Sequence, residues 1–237
     1  MHNFRIEVSL NTPVILTRGY MTLDALLAYA ILQETDSLER AHTEIPLERT
    51  GDIWHGSAAF FCQHVEMGYA PFGRSLKLDD LEYGPWQRLD KNNRPIFVDQ
   101  SRDVERYQWL PRFNTYNTVF APPSASDFIV HWFGRGDMDR VIRLLQSLPG
   151  IGKKSMHGWG QIHKVRGYEI DRDRSLWLDD GLPARPLPES MASGRKECLV
   201  LLEPFQPPYF SSPKAPCVVP ASRFIDDDLM YEIAEGI

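Results

Sequence analysis

The order in which hydrophobic periodicities follow one another constrains this fold most. Residues 3–16, "NFRIEVSLNTPVIL", place Phe4, Ile6, Val8 and Leu10 at alternate positions, the period of a half-buried strand, and Pro13 stops or bends it. "TLDALLAYAILQET" then carries Leu23, Leu26, Leu27, Ala30 and Ile31 on one helical face, with Thr22 as N-cap. "DIWHGSAAFFCQHV" (52–65) is rich in aromatics and reads as a strand broken at Gly56. The same order returns later. "DFIVHWFGRG" (127–136) reads as a strand, and "DMDRVIRLLQSL" as a helix capped by Asp137, with Met138, Val141, Ile142, Leu145 and Leu148 on one face. Pro149 and Gly150 end that helix, and "WGQIHKVRGYEI" alternates like a strand. The result is βαββαβ, which predicts an α+β protein with a ferredoxin-like (RRM-like) core.

The two halves are separated by residues 66–126, where periodicity gives way to turn residues and fragments such as "PIFVD" and "NTVFAPP". This predicts a long insertion of hairpins within a core domain spanning residues 1–172. Residues 173–237 read as a C-terminal extension packed on the core or on partner subunits. It contains the strand "ECLVLLEPF" (197–205). The stretch "EPFQPPYFSSPKAPCVVP" reads as aromatic and proline surface for docking, and "FIDDDLMYEIAEG" as a short acidic helix. Asp226, Asp227 and Asp228 read as a solvated charge run rather than a metal site. No run of about 18 apolar residues occurs and no secretory leader is visible, so a cytoplasmic protein with no membrane contact is expected. Cys62, Cys198 and Cys217 form neither a CxxC pair nor a zinc spacing, so reduced thiols, no metal and no cofactor are expected.

A net charge of −6 argues against coating nucleic acid with the whole surface. Residues 150–168 nonetheless hold Lys153, Lys154, Lys164, Arg166, His157 and His163 without one acid. Within this basic island lies "GIGKKSMHGWGQI", for which three loop chemistries compete. A Walker A loop needs a glycine at 147 and Ser or Thr at 154; Ser147 and Lys154 stand there, and the flanks are reversed, helix before and strand after. "LPGIGKKSM" looks like the hairpin of a helix-hairpin-helix DNA-binding module, but Gly158 and Gly160 would interrupt the second helix it needs. The third chemistry fits the flanks: glycines let a backbone approach a ribose-phosphate chain, lysines supply charge, and Trp159 or His157 stacks on a splayed base.

"GIGKKSMHGWG", placed between the second helix and the last strand, resembles the signature loop of the RAMP superfamily of CRISPR RNA-binding proteins. "TPVIL" followed by "TLDALLAYAI" is similar to the opening of the Cas-five-like subunits of type IV CRISPR effector complexes. The resemblance implies a non-catalytic subunit that holds the 5′ handle of guide RNA (crRNA) and caps the filament of backbone RAMP subunits. It also implies contact with a large or PAM-reading subunit and a contribution to target DNA recognition. The implied RNA-binding residues are Gly150, Gly152, Lys153, Lys154, Ser155, His157, Gly158, Trp159 and Gly160. Arg18 and Tyr20 precede the first helix. Arg106 and Arg112 lie in "RYQWLPRFNTYNTVF", whose basic-aromatic interleaving suits single-stranded RNA and would make it a thumb on the handle. The alternative is a Cas-six-like, metal-independent endoribonuclease using a general-base histidine. His42, flanked by Glu39 and Glu44, and His55 are the candidates, neither in a recognisable acid–base constellation.

Overall fold

Alternation along the first strand translates directly into a buried centre. In the computed structural model, β1 (His2–Leu10) turns Phe4, Ile6 and Val8 into the main core with no exposure. The structure describes residues 2–16, 20–62, 66–74, 87–89, 95–99, 104–106, 112–120, 128–195, 197–209, 212–221 and 224–225. Arg18 and residues 226–237, including the expected acidic helix, lie outside them.

The chain divides into two compact units, residues 1–68 with 117–237, and Tyr69–Tyr116. In the first, β2 (Val14–Leu16), α1 (Leu23–Thr35) and α2 (Leu38–Thr43) follow β1. Next come the hairpin β3 (Arg49–Thr50) and β4 (Ile53–Trp54), then β5 (Phe60–Cys62); β6 (Glu66–Arg74) begins in this unit and continues into the second. In the second unit β7 (Gln87–Leu89), β8 (Pro95–Asp99) and β9 (Val104–Arg106) form an antiparallel meander. β10 (Arg112–Phe120) leads back, and β2 pairs with its residues Asn117–Val119. The remaining elements are β11 (Phe128–Gly136), α3 (Met138–Gln146), β12 (Ile162–Glu169), β13 (Leu187–Pro188), β14 (Val200–Glu203), β15 (Ala215–Val218) and β16 (Phe224–Ile225).

The main sheet has the order β12–β1–β11–β5–β16, antiparallel except for the β5–β16 pair. In register, Ile6 faces Trp132 on one side and Gly167 on the other. The α1 and α3 side chains share one cluster with Phe4, Ile6, Val8 and Leu10. Asp137 caps α3 by accepting from the Arg140 N–H. Thr22 occupies the N-cap position of α1, but its hydroxyl makes no capping bond; the Leu23 N–H is taken by the Ser57 carbonyl at 2.9 Å instead. The "DIWHGSAAFFC" stretch is interrupted around Gly56, leaving two short strands, β4 and β5.

β1 is buried on both faces, not on one. Arg5, Glu7 and Ser9 are also covered, because Phe60 and Phe133 on the second face pack against Ala184, Ile170 and Leu178 from later in the chain. Glu7 pairs with Arg166 at 3.1 Å across strands, and Arg5 lies over the Tyr168 ring. The basic island therefore shares one of its cations with an acid supplied by β1. His131 lies on this face with 1% exposure; burial, followed by the Arg5 charge, pushes its pKa down to about 3. A histidine that is neutral when folded and charged when unfolded binds more protons unfolded, so stability falls as pH drops from about 6.5 toward 3. Chemical denaturation across that window should show a slope that His131→Gln flattens; an unchanged slope would contradict the assignment.

The C-terminal third corrects the expectation of a docking tail. β15 is the middle strand of a β13–β15–β14 sheet, and Cys217, Val218 and Val219 are buried. Phe205 packs in a second cluster with Leu176, Leu187 and Val218. Tyr209 donates to Asp24 Oδ2 at 2.6 Å, and β16 pairs with β5 in the main sheet. Residues 217–220 thus fill this subunit's own interior, while Pro204, Pro207, Pro208 and Tyr209 are half-buried against it and Pro213 and Pro216 stay exposed. Among the described residues of this region, the exposed large apolar side chains are Val200, Leu201 and Leu202 on the edge strand β14 and Leu199 just before it.

Candidate nucleic-acid interface

The glycine-rich loop leaves α3, crosses to β2 and returns into β12, and backbone contacts dictate its glycines. The Lys153 N–H donates to the Ile15 carbonyl at 2.8 Å, and the Gly160 N–H to the Pro13 carbonyl at 2.8 Å. The Ile151 N–H closes the loop on the Gly160 carbonyl at 2.9 Å. A Cβ on Gly152, whose φ is +77°, would sit 2.6 Å from the Ile15 oxygen. A Cβ on Gly150 would sit 2.8 Å from the Gly160 oxygen, and one on Gly160 (φ +58°) would strike the Ile151 carbonyl. Only Gly158, with φ +86°, has open space around it among these four. Three of the four glycines thus serve the packing of the loop rather than only the approach of a ribose-phosphate chain.

Beyond Lys154, itself left-handed at φ +64°, the chain makes a single 3₁₀ turn, Ser155–His157, and enters β12. No second helix starts there, so the helix-hairpin-helix reading fails. Lys153 is exposed, Lys154 and Ser155 are half-buried, and Met156 and His157 project into solvent. Among the described residues, the backbone N–H groups of Gly152, Ser155 and Met156 meet no backbone carbonyl. The loop backs a cleft of about 440 Å³ whose other walls are Ile15 and Leu16 of β2 and Leu26 and Tyr29 of α1.

The expected site residues gather unevenly. Gly150, Gly152, Lys153, Lys154, Ser155 and Tyr20 line this cleft. The Tyr20 hydroxyl also donates to the Pro220 carbonyl at 3.2 Å. Trp159 is half-buried and His157 exposed on the same loop, but neither lines the cleft. Arg106 closes β9 opposite Phe97, and Arg112 opens β10, both in the second unit. Sequence reasoning missed Tyr29, Leu26 and Met21. Leu26 and Tyr29 belong to the α1 segment read only as a core-forming helix, and Met21 to the turn before it; their shared wall exists only once β2 and the loop fold over it.

The two histidines weighed as catalytic bases differ. His42 is half-buried in the last turn of α2, between Arg40 and Glu44, which pair with each other at 2.7 Å. His55 does sit in a constellation, contrary to expectation. Its Nε2 is 2.7 Å from Thr50 Oγ1, and its Nδ1 is 3.0 Å from Ser175 Oγ and 3.3 Å from Asp173 Oδ2. Burial raises the Asp173 pKa, but hydrogen bonds from His55 and Ser175 outweigh it and hold this carboxylate well below its usual range. Both His55 ring nitrogens are occupied and the residue is buried, so the network ties the β3–β4 hairpin to residues 173–175. Among the described residues, no group of three or more His, Cys, Asp or Glu is placed to hold a metal ion, and no helix is long and apolar enough to cross a membrane.

No curated protein matches the chain. A family model does, across both the loop and the C-terminal third, over residues 2–219: that of CRISPR type IV associated protein Csf3, and the chain belongs to this family.

Proposed function

We propose that this chain is the guide-RNA-binding subunit of a cytoplasmic type IV CRISPR ribonucleoprotein, a non-catalytic member that holds the crRNA 5′ handle. It caps the filament of backbone subunits and, beside a large or PAM-reading subunit, contributes to target DNA recognition. The observation that carries this is the loop: two lysines, with the backbone N–H groups of Gly152 and Ser155 that meet no backbone carbonyl among the described residues, border a cleft at the junction of β2 and α1. The sheet order supports a ferredoxin-like RAMP core. In the βαββαβ unit formed by β1, α1, β5, β11, α3 and β12, the first strand lies between the third and fourth, and the second lies outside the third.

Lys153→Ala/Lys154→Ala should weaken guide-RNA binding and flatten its salt dependence, because each lost phosphate contact removes about 0.7 from the single-strand salt slope. Filter binding across a salt series reads both quantities. A folded double variant with unchanged affinity and slope would sink the assignment.

Repeat RNA incubated with the protein, with or without divalent metal, should remain uncut. Specific cleavage lost in His42→Ala or in His55→Ala would move the function to the Cas-six-like alternative.

A further inference from the structure

We infer that the cleft between Tyr29 and the glycine-rich loop takes one unpaired nucleotide of the bound RNA, its base inserted among apolar walls and its phosphate on the lysine rim. This rests on the RNA-binding reading above and adds to it a specific occupant.

The argument starts from the two kinds of surface that meet here. Ile15 and Leu16 are buried in β2 and Leu26 in α1, so the floor is apolar and rigid. Tyr29, 40% exposed, stands on α1 at its edge and offers a ring to whatever enters. Lys153 and Lys154 close the opposite side. An apolar, aromatic slot with cationic groups on one edge matches a nucleotide, which has a flat π-face at one end and a negative charge at the other. The volume agrees: about 440 Å³ lies within the roughly 300–1,000 Å³ of small-molecule pockets.

The loop is fixed for this purpose. Lys153 is pinned to β2 through its backbone N–H, so its side chain starts from a fixed point on the cleft wall. His157 and Trp159 were the stacking candidates read from the sequence, but they do not line the cleft. Tyr29 does.

The test uses the full chain and handle RNA taken from the repeat, with one nucleotide at a time made abasic. Loss of one base should lower affinity about tenfold or more, with the other positions changing much less. 2-Aminopurine at that position should be quenched on binding. Tyr29→Ala should lower affinity for intact RNA by a similar factor, add nothing on the RNA abasic at that position, and be rescued by Tyr29→Phe. A flat abasic series, or losses from Tyr29→Ala and the abasic site that simply multiply, would overturn the pocket. The abasic series is read on the unmodified protein and does not depend on any variant folding. If the series is flat while Lys153→Ala/Lys154→Ala still weakens binding, the RNA reading survives and the pocket falls. If the lysine variant binds normally, the RNA reading falls and takes the pocket with it.

Discussion

A chain ending at residue 205 should not fold. Such a truncation removes β15 from the middle of its sheet, β16 from the edge of the main sheet, and Tyr209. It also strips the buried side chains Cys217, Val218 and Val219, each apolar group being worth about 1.5–3 kcal/mol when fully buried. The largest single consequence falls on Arg185, which is fully buried. Its guanidinium donates to the Trp54 carbonyl at 2.7 Å, the Gly56 carbonyl at 3.0 Å, the Phe205 carbonyl at 2.9 Å and the Tyr209 hydroxyl at 2.5 Å, and it lies 3.3 Å from Asp24. The Tyr209 hydroxyl in turn donates to Asp24, and burial pushes its pKa up, so it stays a protonated donor. One cation therefore joins α1, the β4–β5 connection and the C-terminal third.

Removing one partner of such a pair leaves an uncompensated buried charge, which costs about 3–5 kcal/mol. Arg185→Met should therefore lower the melting temperature by roughly 6–20 °C, at about 2–4 °C per kcal/mol for a chain of this size. Asp24→Leu/Arg185→Met, which removes both charges, should regain part of the loss. Equal destabilisation of the single and double variants would show that the stranded charge is not the cause. A residue 1–205 fragment that melts cooperatively near the full chain's temperature would refute the larger expectation.

None of this was visible in the sequence, and the reason is physical. Asp24 and Arg185 are 161 positions apart, and a buried ion pair imposes no periodicity on its neighbours. Arg185 sits in "LPARPLPES", which looks like a connection, and Asp24 looks like an ordinary first-turn acid of α1. What was legible were features that repeat along the chain: the alternation of β1, the apolar stripe of α1, and α3 with its Asp137 cap. The loop was legible in position but not in purpose. Its glycines signalled close backbone approach; three of them approach β2 or the loop's own backbone. The structure places the two lysines on the loop's surface side, Lys153 exposed and Lys154 half-buried, as charge on a loop is expected to lie.

That separation of purposes makes the four loop glycines distinguishable by experiment. At Gly158 a Cβ meets nothing within 4 Å, so Gly158→Ala costs only the left-handed backbone strain of about 1–2 kcal/mol. Gly158→Asn should cost less still, since Asn tolerates that conformation. At Gly152 the same strain is joined by collision with the Ile15 carbonyl and with Val14 Cγ2 at 2.7 Å, so the Lys153–Ile15 hydrogen bond must break. At Gly160 the Cβ runs into the Ile151 carbonyl, and the bond to Pro13 is lost with it. Gly152→Ala and Gly160→Ala should therefore displace the lysine rim and lower handle-RNA affinity about tenfold or more, equivalent to roughly 1.4 kcal/mol or above. Because the damage begins in the loop, the main sheet should keep its cooperative unfolding. Gly158→Ala should bind RNA within about threefold of the unmodified protein, a difference below roughly 1 kcal/mol. If Gly158→Ala instead loses as much affinity as Gly152→Ala while melting normally, Gly158 is itself a point of RNA approach. If Gly152→Ala and Gly160→Ala bind RNA normally, the path of the loop along β2 is irrelevant to binding and the interface lies elsewhere.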